Sequence, residues 1–165
     1  MKRTGIILFI LFLTTGAFAQ TDSLLCKANE NIVFAFQTEN NQWASVCKEK
    51  NGKYLVYRFG NKNKIELQVP AVLDTASWNR FMFNGYSRGG GKENAAMHFA
   101  YLSFRNRELV YEIFETWNSE DSLEHCGLSV MTDNKINNMP GVLRSRHGNL
   151  LDLLYDDHFK KEEEN

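Results

Sequence analysis

Tyr86, Ser87 and Arg88 stand directly before three consecutive glycines, Gly89, Gly90 and Gly91, in the stretch FMFNGYSRGGGKENAAMHF. Residues of these types support three chemistries: cradling a phosphate, presenting a nucleophile, or gripping a partner with a slender loop. A phosphate loop ending at Lys92 needs glycine at position 86 and Ser or Thr after the lysine. The chain has Tyr86 and Glu93 there. A predicted strand follows, so no helix N-terminus is in place to hold an anion. GYSRG has the spacing of a nucleophile elbow, but an elbow opens a helix and this segment runs into a hairpin. The third chemistry fits best. Tyrosine offers rigid contact area, arginine a planar donor fork suited to carboxylates, and glycine a thin backbone that a partner can approach closely.

Other reactive residue types are scattered. His98, His125, His147 and His158 have no spacing that pairs them with a nucleophile or a metal. Asp121 and Glu124 belong to the polar run NSEDSLEH, where solvated carboxylates are the simpler reading. There is no Cys-x-x-Cys and no paired His motif, and neighbours His125 and Cys126 would point to opposite faces of a strand. The residues therefore call for no catalytic group, no metal and no cofactor. Three cysteines, Cys26, Cys47 and Cys126, suggest one disulfide and one remaining thiol. Cys26 with Cys47 is the favoured pair because both flank the first hairpin. Closing that loop contributes about 3 kcal/mol. A bond involving Cys126 stays open at this level.

The elements that must position these residues read as strands. Ile65, Leu67 and Val69 alternate with polar partners, and Leu55, Tyr57 and Phe59 share one face of KYLVYRF. Leu109, Tyr111, Ile113 and Trp117 share one face of RELVYEIFETW; Cys126, Leu128 and Val130 line one face of EHCGLSVM. Ile32, Phe34 and Phe36 form another stripe. With KNG, GNKN, RNR and TDNK as turns, the count is about eight strands. This predicts an all-β fold, a single antiparallel β-sandwich or barrel-like domain, with the sandwich favoured. GNLLDLLYDDHF predicts a short C-terminal helix, with Leu150, Leu151, Leu154, Tyr155 and His158 on one stripe.

The ends set compartment and charge. Lys2 and Arg3, the apolar run Ile6–Leu13 and Ala17-Phe18-Ala19 make residues 1–19 a cleavable signal peptide, with the cut before Gln20. The apolar run is too short to span about 30 Å of hydrocarbon. The expectation is an exported protein, periplasmic or extracellular, with one domain over residues 20–159, a charged tail over 160–165 and no mature membrane insertion. Lys+Arg number 19 and Asp+Glu 20; losing Lys2 and Arg3 leaves 17 against 20, a mature charge of −3. That argues against nucleic acid as a partner.

Tyr57-Arg58-Phe59-Gly60, Ile65-Glu66-Leu67 and Ser87-Arg88-Gly89-Gly90-Gly91 resemble a recurring group of small exported bacterial β-proteins. The resemblance covers about half of the mature chain and implies relatives mostly without an assigned activity. More loosely, the chain is similar to periplasmic lysozyme inhibitors, which insert a loop bearing Ser and Tyr into the enzyme's cleft. That likeness implies a non-enzymatic binding protein acting on a lysozyme-like glycosidase, with Tyr86, Ser87, Arg88, Gly89, Gly90 and Gly91 as the partner-binding loop. Arg88 would then pair with one of the two carboxylates such a cleft contains. Two other roles fit the composition. A lipocalin-like carrier would line an apolar cavity with Trp43, Phe81, Phe99, Phe104 and Trp117, and a cell-envelope structural or interaction module would need neither cavity nor projecting loop.

Overall fold

In the computed structural model, residues 24–159 are described; the expected signal peptide (1–19) and the expected charged tail (160–165) lie outside them. Nine antiparallel strands form one curled sheet, a half-barrel: β1 (Glu30–Thr38), β2 (Trp43–Glu49), β3 (Leu55–Asn61), β4 (Lys64–Val69), β5 (Phe81–Arg88), β6 (Met97–Asn106), β7 (Leu109–Asn118), β8 (Glu124–Thr132) and β9 (Lys135–Gly148). The spatial order is β4-β3-β2-β1-β9-β8-β7-β6-β5, so β4 and β5 are the free edges. All eight expected strands are present. The ninth, β9, went unread because Pro140, Gly141 and its asparagines break the apolar alternation.

That ninth strand also decides the architecture. β9 is 14 residues long and pairs with β8 through Lys135–Pro140 and with β1 through Gly141–Gly148. It joins two meanders into one continuous sheet, so the favoured sandwich gives way to the barrel-like alternative. Gly148 makes the second junction possible. Its φ is +74°, and a Cβ there would run into the carbonyl oxygen of Val33.

The concave face holds the main core. Phe34, Phe36, Val46, Leu55, Tyr57, Leu102, Phe104, Ile113 and Leu128 are buried there. Each large apolar side chain so removed from water contributes about 1.5–3 kcal/mol. Tyr57 packs on Phe104 with centroids 5.0 Å apart, and Phe81 meets Phe104 edge-on at 5.7 Å. The expected Ile32 stripe is broken. The register shifts between Ile32 and Phe34, so Ile32 pairs with Cys47 while Phe34 pairs with Val46. Ile32 thereby moves to the convex side.

A 3₁₀ turn, Thr75–Arg80, leads into β5, capped by the Asp74 carboxylate, which accepts from the Ala76 N–H. The C-terminal helix is likewise two 3₁₀ turns, Leu150–Tyr155 and Asp157–Phe159. At three residues per turn, i and i+3 eclipse. Leu150 and Leu153 are therefore the buried pair, and Tyr155, expected on the apolar stripe, is 73 % exposed. Lys48 reaches Asp156 at 2.9 Å, and the His158 ring stacks on Trp78 at 3.8 Å, fixing this segment across the open concave side.

On the convex side of β1–β3, the N-terminal segment forms a strap tied down by the Cys26–Cys47 disulfide. Beneath it lie Tyr54, Val56 and the fully buried Arg58. Cys126 is the free, buried cysteine. No helix among the described residues is long and apolar enough to cross a membrane.

Candidate functional site

Tyr86, Ser87 and Arg88 are the last three residues of edge strand β5, registered against Phe99, His98 and Met97 of β6. Because Phe81 is buried on the concave side, the period-two alternation puts Tyr86 and Arg88 on the convex face and Ser87 on the concave one. Tyr86 is 43 % exposed. Its ring lies 5.7 Å from Phe99, which in turn lies 5.5 Å from Tyr101. Arg88 donates from Nε and Nη2 to the Ala95 carbonyl at 3.3 and 3.1 Å, bridging the mouth of the glycine loop.

The loop itself is held by its own framework. Gly91 N–H donates to the Asn94 carbonyl at 2.9 Å, while Ala96 and Ser119 exchange two bonds of 2.9 Å that fasten it to the β7–β8 turn. All six residues from Tyr86 to Gly91 are exposed. Positive φ is confined, among the described glycines, to Gly52, Gly60 and Gly148. The triplet thus does not exploit the left-handed freedom of glycine. A Cβ on Gly89 or Gly91 would meet nothing within 4 Å, so what the triplet provides is a thin tip.

The concave neighbours of Ser87 include groups that sequence alone did not single out. His98 stacks on Trp117 at 5.6 Å. Glu115, only 2 % exposed, accepts from Arg146 Nη1 at 2.7 Å and from the Leu150 N–H at 2.8 Å. Burial pushes the Glu115 carboxyl above its ordinary range, against the pull of that N–H and of Arg146. With both oxygens committed, Glu115 does not orient His98 as the acid of a triad would. Arg146 also meets Glu124 at 3.1 Å. The sign that β7 carried this cluster was one acid set in an apolar stripe, Tyr111-Ile113-Glu115-Trp117. Its partners come from β9 and the segment after it, which local spacing cannot reveal.

The remaining histidines are dispersed. His147 packs on Trp43, His158 on Trp78, and His125 is exposed. Cys26, Glu30 and Cys47 bring ligand-type atoms within 4.8 Å of one another. The two sulfurs are bonded together and Glu30 is engaged by Arg58, so these atoms are already committed. The residues that a carrier would use as a lining do not converge. Phe81 and Phe104 are in the core, Phe99 is on the convex face, and Trp43 packs with His147 on a distant strand pair.

The convex face of β5–β7 is the larger surface to which Tyr86 belongs, and it carries Met82, Phe99, Tyr101 and Phe114. Phe114 lies directly over Gly127, where a Cβ would come within 2.6 Å of the ring. Among the described residues, the strap's contacts are with β1–β4, on the other half of the sheet. The chain matches no protein-family model, no curated protein and no solved structure, so its own surface chemistry carries the functional reading.

Proposed function

We propose that this chain is an exported, non-enzymatic binding protein that grips its partner with the Tyr86–Gly91 end of β5. The cleft of a lysozyme-like glycosidase is the partner whose chemistry it suits. One observation carries this reading: six consecutive exposed residues at a sheet corner are pre-ordered by Arg88 on Ala95, Gly91 on Asn94 and Tyr86 on Phe99. Such pre-ordering lowers the entropic cost of binding. Nη1 of Arg88 makes no hydrogen bond among the described residues, so the guanidinium retains donors for a carboxylate. Lys2-Arg3, the apolar run and Ala17-Phe18-Ala19 support export, as does a disulfide across the first hairpin. The concave face, which a carrier would keep empty, is occupied by Tyr57, Phe81, Phe104, Leu150 and Leu153.

The test is binding and inhibition against a panel of secreted glycosidases, comparing the wild type with Arg88→Ala and Tyr86→Ala. Each substitution weakens an anchored complex by about 1–3 kcal/mol. Wild-type affinity in both variants, or no glycosidase bound at all, overturns the proposal.

A further inference from the structure

A row of five cross-strand neighbours runs over the convex face: Met82, Ser103, Glu112, Ser129 and Asn138. At its centre, Glu112 is half-buried. The hydroxyls on either side turn away from it. Ser103 Oγ donates to the Met82 carbonyl at 3.4 Å, and Ser129 Oγ donates to Asn138 Oδ1 at 2.8 Å. Among the described residues the Glu112 side chain has neither a hydrogen-bond nor an ion-pair partner. Arg105, one row away opposite Val110, is not within ion-pair distance. Arg88, held by Nε and Nη2 on the Ala95 carbonyl, is not within ion-pair distance of Glu112 either.

The adjoining row supplies rings. Tyr101 faces Phe114 across β6 and β7, and both stand two residues from the strand positions that flank or carry Glu112. Two open depressions, of about 520 and 500 Å³, share Tyr101 and Glu112 as a common wall. Met82 and Asn84 complete one; Phe114, Thr116 and His125 help line the other.

A carboxylate without a donor, set beside aromatic faces, is the arrangement that receives an ammonium or guanidinium group. A neutral ligand would desolvate Glu112 further and bring no counter-charge, whereas a cation offsets that cost. Burial already holds the Glu112 carboxyl above its ordinary range. We infer that this face is a docking surface for a basic protein, with a lysine or arginine side chain seated at Glu112 against Tyr101 and Phe114. The site adjoins Tyr86 on the same convex face through Phe99 but does not use the Ser87–Gly91 tip, and it does not require the partner to be a glycosidase.

The experiment is an NMR titration of the protein, purified from an exporting host, with tetralysine at low salt. Tetraglutamate and a chitin tetrasaccharide serve as the comparison ligands. Saturable shifts at Glu112, Tyr101 and Phe114 are expected with tetralysine alone. Affinity falls about tenfold in Glu112→Gln, the scale of a charge-assisted hydrogen bond. Tyr101→Ala weakens binding as well, and serves as the variant of record if Glu112→Gln does not fold. Arg88→Ala leaves the titration unchanged even where it abolishes glycosidase binding. The inference is overturned if tetralysine gives no saturable shift there, if the shifts persist at full affinity in both site variants, or if the tetrasaccharide produces them instead.

Discussion

Arg58 grips Glu30 through two hydrogen bonds, Nη1 to Oε2 at 2.6 Å and Nη2 to Oε1 at 2.9 Å, with neither side chain exposed to solvent. The pair lies beneath the N-terminal strap. Leu25 supplies a carbonyl to Nη1 and Tyr54 a hydroxyl to Glu30, so both charges are closely surrounded by partners. The same network answers for the Cys26–Cys47 bond: the disulfide holds down the segment that covers the ion pair.

Removing one partner strands the other charge. Arg58→Met should destabilise the fold by about 3–5 kcal/mol, and Arg58→Met with Glu30→Gln should recover much of that loss. Urea unfolding measures both. The pH dependence has a definite sign. Burial raises the Glu30 carboxyl, but Arg58, the Lys27 N–H and Tyr54 outweigh it and hold it below its ordinary value. Its contribution is therefore full above the unfolded carboxylate range and is lost as pH falls through the lower folded value. A variant lacking the pair should lose that acid-side slope.

Glu112 should behave in the opposite sense. Its carboxyl is raised by burial, so ionisation costs the folded state once pH rises past the unfolded value of about 4.3. Glu112→Gln should be more stable than the wild type at neutral pH, with the gap closing as the solution is acidified below that value. Parallel stability curves across the whole pH range would contradict this assignment.

Cys126 should be chemically silent in the native protein. Burial pushes its thiol up to about 11, against the pull of Arg146, and the side chain is buried. A thiol reagent at neutral pH should find no reactive sulfur until denaturant is added, and then one. Rapid modification without denaturant would show that the core opens near β8.

The glycine triplet separates shape from backbone freedom. Neither Gly89 nor Gly91 has positive φ, and a Cβ at either meets open space. Gly89→Ala with Gly91→Ala should leave the fold intact and add about 0.4–1 kcal/mol of stability per site by restricting the unfolded chain. If the tip enters a cleft, the same double variant should weaken partner binding. Unfolding curves and affinity, measured side by side, distinguish the two effects.

Eight strands were legible because each alternates apolar and polar residues with a period of two. Alternation places Leu55 and Tyr57 of β3 and Cys126 and Leu128 of β8 on the concave face, but it does not foretell that Val56, Arg58, Gly127 and Ser129 are buried on the other face as well. β9 was hidden because its neighbours, not its own pattern, hold it in the sheet. Asn137 and Asn138 pair with Val130 and Ser129 through backbone geometry that composition does not encode. The 3₁₀ end was misread because a leucine-rich segment fits periods of three and 3.6 almost equally over six residues.

At the candidate sites the division is similar. The order Tyr86-Ser87-Arg88 before three glycines is a local fact that the amino-acid order alone supplied; it favoured Cys26 with Cys47 but left Cys126 open, and the fold decided that pairing. The partners of Arg58, Glu115 and Glu112 are not local facts. Arg58 meets Glu30 across 28 positions, and Glu115 meets Arg146 across 31. Among the described residues Glu112 has no partner, because two neighbouring hydroxyls are drawn elsewhere in the sheet. Local periodicity determines which face a side chain occupies. Only the closing of distant strands into one curled sheet determines which charges meet and which stays unpaired.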